Sequence, residues 1–363
     1  MFQENNNLLT IARYLNKEYP NSIQEGDVFR SFYSVAEEFN FLKNGIGLRV
    51  KLNPTILVME GKDVLDFLHR VSTNSVKDLK PDEIINTLFL NEKGKIISRS
   101  TLLNLVDKFY LIGNSGQDTR LFSWLSKYII TEDIIIQDLS KQYTILELSG
   151  KQCNSFITLL VGDNDDSTES NKVRLVKQDG FSFYFLNEKK FNGSVCKILI
   201  EKEKCAEYLE YMFNMKSVFD LSVVGEDAYD YFRIENGIPA FPNEINDSTN
   251  PYEVNLIDEV SFKKGCYIGQ EVITRLYTYD KVQRKLFNII LKEPLTEKPP
   301  LIVTDEAGNE MGELTTISSG KINHLHSGLA LIKKKVLNER MRLFVDSNGK
   351  NIEIEVSEIN YSK

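Results

Sequence analysis

A single cysteine between two glycines constrains this chain more than any other feature. Residues 263–271 read Lys-Lys-Gly-Cys-Tyr-Ile-Gly-Gln-Glu, so Gly265 and Gly269 enclose Cys266 just before a predicted helix start. Glycine permits a positive φ and a close approach of the backbone to a ligand. Neighbouring cations and a helix N-terminus both stabilise a thiolate. The pattern therefore predicts a tight turn that presents backbone and sulfur to an anion.

The same residues fit a second interpretation, in which the turn is structural and Cys266 is buried and inert. Free cysteine is among the most buried residue types. Lys263 and Lys264 favour the first interpretation, as do Glu271 and Arg275, which are four residues apart and could pair on one helix face. The residues alone leave both interpretations open.

Composition limits the class of protein. The chain has 363 residues, more than one ordinary core holds, which predicts two or three domains. Its net charge of −8 argues against nonspecific nucleic-acid binding, which needs a basic surface. No apolar run approaches the ~20 residues of a membrane helix, and the N-terminus lacks a signal-peptide pattern. We therefore expect a cytoplasmic protein with no membrane partner.

Metal and disulfide signals are weak. The four cysteines form no Cys-x-x-Cys pair, so free thiols are expected instead of a zinc site or a disulfide framework. The acidic run 162–170 lacks the glycine and glutamate spacing of an EF-hand loop. His324 and His326 fit a surface loop or turn, and no resident metal is expected.

Periodicity predicts an α+β chain in several parts. Residues 1–45 form a helical lead-in, with predicted helices at Leu8–Tyr19 and Ser31–Leu42. A meander of antiparallel strands follows, in which residues 91–94 form a turn. Residues 134–215 read as a small α+β domain, and short, regularly spaced strands after Pro294 predict a β-barrel or sandwich.

Arg233 and Glu235 form a second constellation, because they lie two residues apart before Gly237 and Pro239. On a strand or strand end they would share one side, where a carboxylate can accept two N–H bonds from a heterocycle such as a pterin. The alternative is a surface ion pair before a turn.

Several segments occur in an order that resembles a known family. The segment 261–271 is similar to the signature of the YgfZ-type folate-binding proteins, in the superfamily of the glycine-cleavage T-protein, an aminomethyltransferase. The other matching segments are 59–68, 72–76 (with Ser75 where Asp is usual), 90–95, 233–237, 255–256, 308–315 and 328–330. The resemblance covers about residues 32–357.

The resemblance implies a fold class and domain boundaries. It implies an α+β chain with a T-protein-like folate-binding domain, an inserted ferredoxin-like α+β domain and a C-terminal β-barrel. The folate-binding domain would be discontinuous. The expected boundaries are 1–45 for the helical lead-in, 46–133 with 216–280 for the folate domain, 134–215 for the ferredoxin-like domain and 281–363 for the barrel.

The resemblance also implies a function. A true aminomethyltransferase of this superfamily carries an Asp-Asp pair just past Gly94, where this chain has Ser98 and Arg99. Serine lacks a charge for a developing cation and arginine has the wrong sign, so the glycine-cleavage reaction is not expected. The YgfZ-type branch supports assembly or repair of iron–sulfur clusters, with tetrahydrofolate or a derivative as ligand and iron–sulfur client or assembly proteins as partners.

The resemblance assigns roles to particular residues. Cys266 is implied as the functional thiol, and the expected folate-binding residues are Asn74, Arg233, Glu235, Lys264, Gly265, Tyr267, Gly269, Gln270 and Glu271. Two other hypotheses stay open. One is a folate-dependent one-carbon transferase, for which Asp63, Asp78 and Ser98 are poor candidate bases. The other is a structural descendant that binds no folate.

Overall fold

The computed structural model describes residues 4–162, 169–190, 193–279, 281–320, 325–339 and 341–359. Most of the acidic run, at 163–168, and His324 lie outside these ranges. The helices of the described part are α1 Glu4–Glu18, α2 Val35–Asn44, α3 Val64–Val71, α4 Asp118–Tyr128, α5 Cys153–Val161, α6 Lys202–Met215, α7 Glu226–Glu235, α8 Gln270–Thr278 and α9 Lys335–Glu339.

The strands follow the same chain order. They are β1 Ile23–Glu25, β2 Val28–Ser31, β3 Ile46–Lys51, β4 Thr55–Glu60, β5 Ile84–Leu90, β6 Ile96–Asn104, β7 Phe109–Gly113, β8 Ile135–Asp138, β9 Tyr143–Ser149, β10 Lys172–Gln178, β11 Phe181–Lys190, β12 Gly193–Glu201, β13 Leu221–Val223, β14 Arg284–Leu291, β15 Leu301–Asp305, β16 Glu310–Ile317, β17 His326–Lys333, β18 Leu343–Ser347 and β19 Lys350–Ser357.

Three larger sheets organise these strands. A six-stranded sheet has the order β10-β11-β12-β9-β3-β13, and a five-stranded sheet has the order β5-β6-β7-β4-β8. Strands β14-β17-β16-β15-β18-β19 form a closed barrel, because β14 pairs with both β17 and β19. Closure leaves no strand edge open. The predicted C-terminal barrel is therefore confirmed.

The chain divides into two compact units. The first contains Met1–His69, Val76–Thr87 and Ser100–Tyr229, and the second contains Arg70–Ser75, Leu88–Arg99 and Asp230–Lys363. This division differs from the domain boundaries expected above, which stay a prediction.

The first unit has a hydrophobic core against the six-stranded sheet. Ile11 and Leu15 of α1 are fully buried in it, so the helical lead-in contributes core residues. Strands β9 to β12 from residues 134–215 share their sheet with β3 and β13, which come from outside that range. The ferredoxin-like insertion therefore stays a prediction.

Two hydrophobic clusters of described residues lie in the second unit. One fills the barrel around residues such as Leu314 and Val345. The other packs Leu88, Leu90 and Ile96 against Tyr267 and other apolar residues that precede or enter the barrel. All the residues expected to form the functional site belong to this unit.

Two predicted elements are corrected. The helix expected at Ser31–Leu42 begins at Val35, because Ser34 accepts from the Glu37 N–H and the Glu37 carboxylate accepts from the Ser34 N–H. Ser31 ends β2 instead. Arg233 and Glu235 lie on helix α7, so the strand predicted for them is wrong.

Within the described ranges, no helix is long and apolar enough to cross a bilayer. In the same part of the chain, no group of three or more His, Cys, Asp or Glu side chains could hold a metal ion.

Candidate functional site

Helix α8 begins where Gly269 packs against an earlier turn. Gly269 has φ 82°, in the left-handed region, and a Cβ placed on it would lie 2.6 Å from the Asn91 carbonyl oxygen. The turn itself closes through a 2.9 Å hydrogen bond from the Gly94 N–H to the Asn91 carbonyl. Only glycine fits this left-handed, crowded position at low cost. The two segments therefore fix each other.

Thr73 holds the segment beside the motif. Its N–H donates to the Leu88 carbonyl at 2.9 Å, and its hydroxyl donates to the Glu259 carbonyl at 2.7 Å. The hydroxyl also accepts from the Leu88 N–H at 3.0 Å, and the Thr73 carbonyl accepts from the Ser261 N–H at 3.0 Å. Because Thr73 is fully buried, these bonds are shielded from water. One residue thus joins three stretches that are distant in sequence.

Lys264 reaches back to this segment. Its Nζ donates to the carbonyls of Ser72 at 2.6 Å and Asn74 at 2.8 Å, and it lies 5.3 Å from the centroid of the Tyr267 ring. Burial of the amine lowers the pKa of Lys264 from 10.5 to about 8. The motif therefore contains a half-buried ammonium group that can lose its proton at mildly alkaline pH.

A buried hydroxyl lies in the same segment. Within the described residues, the Ser72 Oγ is buried and has no hydrogen-bond partner. Ser72 is fully buried, and its own carbonyl is bound by Lys264. A buried hydroxyl without a partner is costly, so this position fits a polar ligand atom.

Cys266 is exposed, whereas Cys153, Cys196 and Cys205 are buried. All four are free thiols, as expected. Burial raises the pKa of Cys205 well above its usual range, which keeps that thiol protonated. The interpretation of Cys266 as a buried residue is therefore wrong, and it is the accessible thiol among the four.

Gly265, beside Cys266, differs from Gly269. It is exposed, and no described atom lies within 4 Å of a Cβ placed on it. Unlike Gly269, Gly265 does not have a positive φ. Neither packing nor a positive φ requires glycine at position 265. The consequence of having glycine there is a backbone that no side chain covers.

Arg233 is held in a buried polar network. Its guanidinium donates to Asp230 at 2.7 Å and to the carboxylate of Glu244 at 3.1 Å. Glu244 is fully buried and also accepts from the hydroxyls of Thr315 and Thr316, both at 2.6 Å. The network joins α7 to β16 of the barrel, which gives Arg233 a structural role.

Glu235 occupies a different environment. Residues two apart on a helix point about 200° from each other, and Glu235 is exposed whereas Arg233 is 3% exposed. The structure therefore separates the pair that the sequence placed on one side of a strand.

Arg99 forms a two-pronged ion pair. Its Nε lies 2.9 Å and 3.0 Å from the two carboxylate oxygens of Glu259. The side chains are 18% and 12% exposed. The neighbouring Ser98 is buried. The cation that replaces the expected aspartate is therefore neutralised by a carboxylate of this chain.

The structure brings some expected site residues together. Lys264 contacts both Asn74 and Tyr267, and the loop 265–269 leads directly into Gln270 and Glu271 at the start of α8. Glu271 and Arg275 do not form an ion pair among the described residues, although both lie on α8.

Sequence reasoning missed three contributors. Ser72 and Thr73 belong to a segment that matched the family, but nothing marked them as supports of Lys264. No local sequence pattern pointed to Glu259, because its partner Arg99 lies 160 positions away in the sequence.

Comparison with known proteins identifies the family. Residues 14–264, more than half of the chain, match the family described as GCVT N-terminal domain. The chain belongs to this family.

Two relatives add to this assignment. A protein of Arabidopsis thaliana is 26% identical over 355 residues, covering 93% of this chain and 76% of that protein; its name proposes a transferase in the chloroplast. The crystal structure of the glycine cleavage system aminomethyltransferase T from Bartonella henselae matches with a TM-score of 0.81 and 18% identity. That match covers 96% of each chain, and it shows that the family fold extends into the barrel.

Substitution by alanine is expected to affect stability differently at the two glycines of the motif. Gly269→Ala is expected to lower the free energy of unfolding by roughly 2 kcal/mol, because its Cβ meets a carbonyl at positive φ. Gly265→Ala serves as the matched control and is expected to change it by less than about 0.5 kcal/mol. Urea denaturation measures both. Equal losses in the two variants would contradict the assigned packing.

The Arg99–Glu259 pair predicts coupled stability effects. Arg99→Met and Glu259→Gln are each expected to cost about 1–3 kcal/mol, because each leaves a largely buried partner uncompensated. The double variant should cost less than the sum of the two. Thermal unfolding of the four proteins gives the coupling.

The exposed pair Arg342–Glu353 is the control for this cycle, with side chains 59% and 51% exposed. Its coupling should be smaller. Additive losses at Arg99 and Glu259 would show that the pair carries no interaction energy.

Proposed function

We propose that this protein binds tetrahydrofolate or a derivative and supports iron–sulfur cluster assembly or repair through the Cys266 thiol. The observation that carries the proposal is the arrangement of the motif: Lys264 is anchored on the Ser72 and Asn74 carbonyls, and an exposed thiol follows two residues later. The proposal includes the YgfZ-type branch of the family, its ferredoxin-like insertion and a cytoplasmic location.

The chemistry of the available groups fits a reduced folate. Its pterin needs hydrogen-bond acceptors and its glutamate carboxylates need cations. The carboxylates of Glu244 and Glu259 are held by arginines, whereas Glu235 is exposed. Glu235 is thus the expected pterin acceptor. The buried hydroxyl of Ser72 offers a further polar group.

The glutamate end of folate would lie near the motif. Lys264 supplies an ammonium group, and the exposed Gly265 lets a ligand approach the backbone closely. Asn74, Tyr267 and Gly269 shape the surroundings of this amine and loop. Arg233 supports the site from its buried network without touching the ligand.

A cluster at Cys266 would need ligands from a partner. Iron–sulfur clusters are normally held by four protein ligands. The other three cysteines are buried, and within the described residues no further group of ligands is available. This supports a role in which Cys266 acts on, or shares a cluster with, an iron–sulfur client or assembly protein.

The transferase alternative rests on the name of the Arabidopsis relative. It needs a base or electrostatic stabiliser near the reacting nitrogen of folate. Ser98 is buried and the adjacent Arg99 is bound to Glu259, so neither supplies the charge of the expected aspartates. Lys264, whose pKa is lowered to about 8, is the remaining candidate base. Transfer of the one-carbon unit of an aminomethyl donor to tetrahydrofolate, with release of ammonia and no change of oxidation level, would favour this alternative.

Folate binding is expected to depend on pH through Lys264. Below pH 8 the amine is charged and attracts the ligand's carboxylates; as pH rises through about 8 it loses its proton and affinity should fall. The fall should approach tenfold per pH unit at most. Calorimetric titration of 5-formyltetrahydrofolate between pH 6.5 and 9.5 measures it.

Two variants isolate the contribution of this amine. Lys264→Met should bind more weakly and show a flat profile over the same range. Lys263→Met, which removes the exposed neighbouring lysine, should keep the wild-type profile. If the folate affinity of the unaltered protein does not change with pH, or if Lys264→Met keeps the wild-type dependence on pH, Lys264 does not bind the ligand.

Cys266→Ser is expected to keep the fold and folate affinity but to abolish complementation of an iron–sulfur-enzyme defect in cells. The substitution replaces an exposed atom, so stability should change by less than about 0.5 kcal/mol. Full complementation by the variant would end the proposed thiol role.

Thiol titration provides the control for this experiment. The native protein should react with Ellman's reagent at one cysteine, and after denaturation at four. Cys266→Ser should lose the native reaction.

A further inference from the structure

Two aromatic side chains are exposed on either side of the cysteine motif. Phe262 directly precedes the motif and is 44% exposed, and Tyr277, near the end of α8, is 65% exposed. Their ring centroids lie 5.0 Å apart, with the rings tilted by 31°. Single exposed apolar residues are normal on any protein surface, whereas two large rings that pack on each other and stay open to solvent form a patch. These two residues are named the aromatic pair below.

The aromatic pair belongs to the same surface as the exposed thiol. Cys266 follows Phe262 by four residues, so their Cα atoms are at most about 14 Å apart. A standard protein–protein interface covers about 800 Å² on each partner, which corresponds to a patch about 30 Å across. One bound protein can therefore cover the aromatic pair and contact Cys266 at the same time.

The shape of this surface favours a protein over a small molecule. Tyr277 lies at one edge of the exposed face of α8, beside Thr274 and Thr278. The outer face of a helix is convex, whereas small molecules bind in clefts. Tyrosine and phenylalanine are enriched in the cores of protein–protein interfaces. The aromatic pair is thus suited to contact an apolar side chain of another protein.

The charge around the aromatic pair is opposite in sign to that of the chain. Residues 262–281 carry a net charge of +2, whereas the chain carries −8. The cations are Lys263, Lys264, Arg275 and Lys281, and the acids are Glu271 and Asp280. Apart from Lys264, these cations form no ion pair in the described part of the chain, whereas Arg233 and Arg284 of the same unit are bound to glutamates. Carboxylates around an apolar anchor would complement this surface.

A second copy of this chain matches the surface poorly. A two-fold dimer brings the same patch of both subunits together, so the two positive segments would face each other. Like charges across an interface cost binding free energy. The charge therefore favours a different protein, one whose contacting surface is acidic.

We propose that the aromatic pair, with Lys263 and Lys281 beside it, is the docking surface for an acidic protein that places an aliphatic or aromatic side chain against the two rings. Resting on the proposed function, the docked protein is the iron–sulfur client or assembly protein on which Cys266 acts. Docking would hold that protein over the exposed thiol.

Cross-linking in cells tests which molecule contacts the pair. The photo-reactive residue p-benzoylphenylalanine replaces Tyr277 in the full chain, and in a control it replaces Ile302, which is 59% exposed on the barrel. An acidic protein should cross-link at position 277 and not at 302. Mass spectrometry identifies this protein, which is then purified and titrated calorimetrically against the unaltered chain.

Variants separate the apolar from the charged contribution. Phe262→Ser/Tyr277→Ser should weaken binding of the identified protein at least tenfold and reduce complementation, with folate affinity and cooperative unfolding retained. Lys263→Met/Lys281→Met should weaken binding about tenfold at low salt and less at high salt. The matched control Lys298→Met/Ile302→Ser, which alters an exposed cation and an exposed apolar residue of the same unit, should bind normally.

The outcomes separate this inference from the proposed function. If Cys266→Ser loses complementation while Phe262→Ser/Tyr277→Ser keeps it in full, the docking surface is overturned and the proposed function stands. If Cys266→Ser complements fully, the proposed function fails and the titration decides: tenfold weakening by the aromatic substitutions supports an acidic partner, and equal affinity overturns it.

Other occupants would also overturn the proposal. These outcomes are the absence of any cross-link at position 277, a cross-link there only to a second copy of this chain, or binding to phosphatidylserine vesicles that Phe262→Ser/Tyr277→Ser abolishes.

Discussion

The hydrogen bonds of Thr73 are the constraint on which the candidate site depends. They join the segment around residue 73 to Leu88 and to the residues just before the cysteine motif. Without this junction the Ser72 and Asn74 carbonyls would not be held where the Lys264 amine can reach them. A lysine placed by backbone carbonyls has few alternative positions, because carbonyls move only with the chain. The site is thus organised by main-chain geometry, and side chains complete it.

The cationic side chains discussed above for the second unit occupy three kinds of environment. Arg233 and Arg99 are bound by buried or nearly buried carboxylates, so they stabilise the unit and cannot also attract a ligand strongly. Lys264 is intermediate, because two carbonyls accept hydrogen bonds from its amine while burial lowers the pKa of that amine. Arg275 keeps its charge at the surface. Sorting cations by partner therefore separates structural residues from candidate ligand contacts more reliably than sorting them by sequence motif.

Local sequence patterns predicted the turns, helices and strands better than they predicted which distant residues contact one another. The turn at 91–94, the start of α8 and the barrel strands follow from glycine positions and short-range alternation, and all are present. The strand predicted at Arg233–Glu235 is part of helix α7, and a three-residue window cannot distinguish a period of 2 from one of 3.6. The pairing of Arg99 with Glu259 and the joining of β3 with β9 are contacts between distant residues, for which neither periodicity nor spacing carries a signal.

The contrast between the two motif glycines sharpens what the site can do. Gly269 is explained by its positive φ and its contact with the Asn91 carbonyl, so its presence says nothing about a ligand. Gly265 has no such explanation, and it lies between the half-buried amine and the exposed thiol. A side chain there would stand over the backbone that joins these two groups. Its absence leaves the backbone between the amine and the thiol open, so one ligand or partner could contact both groups.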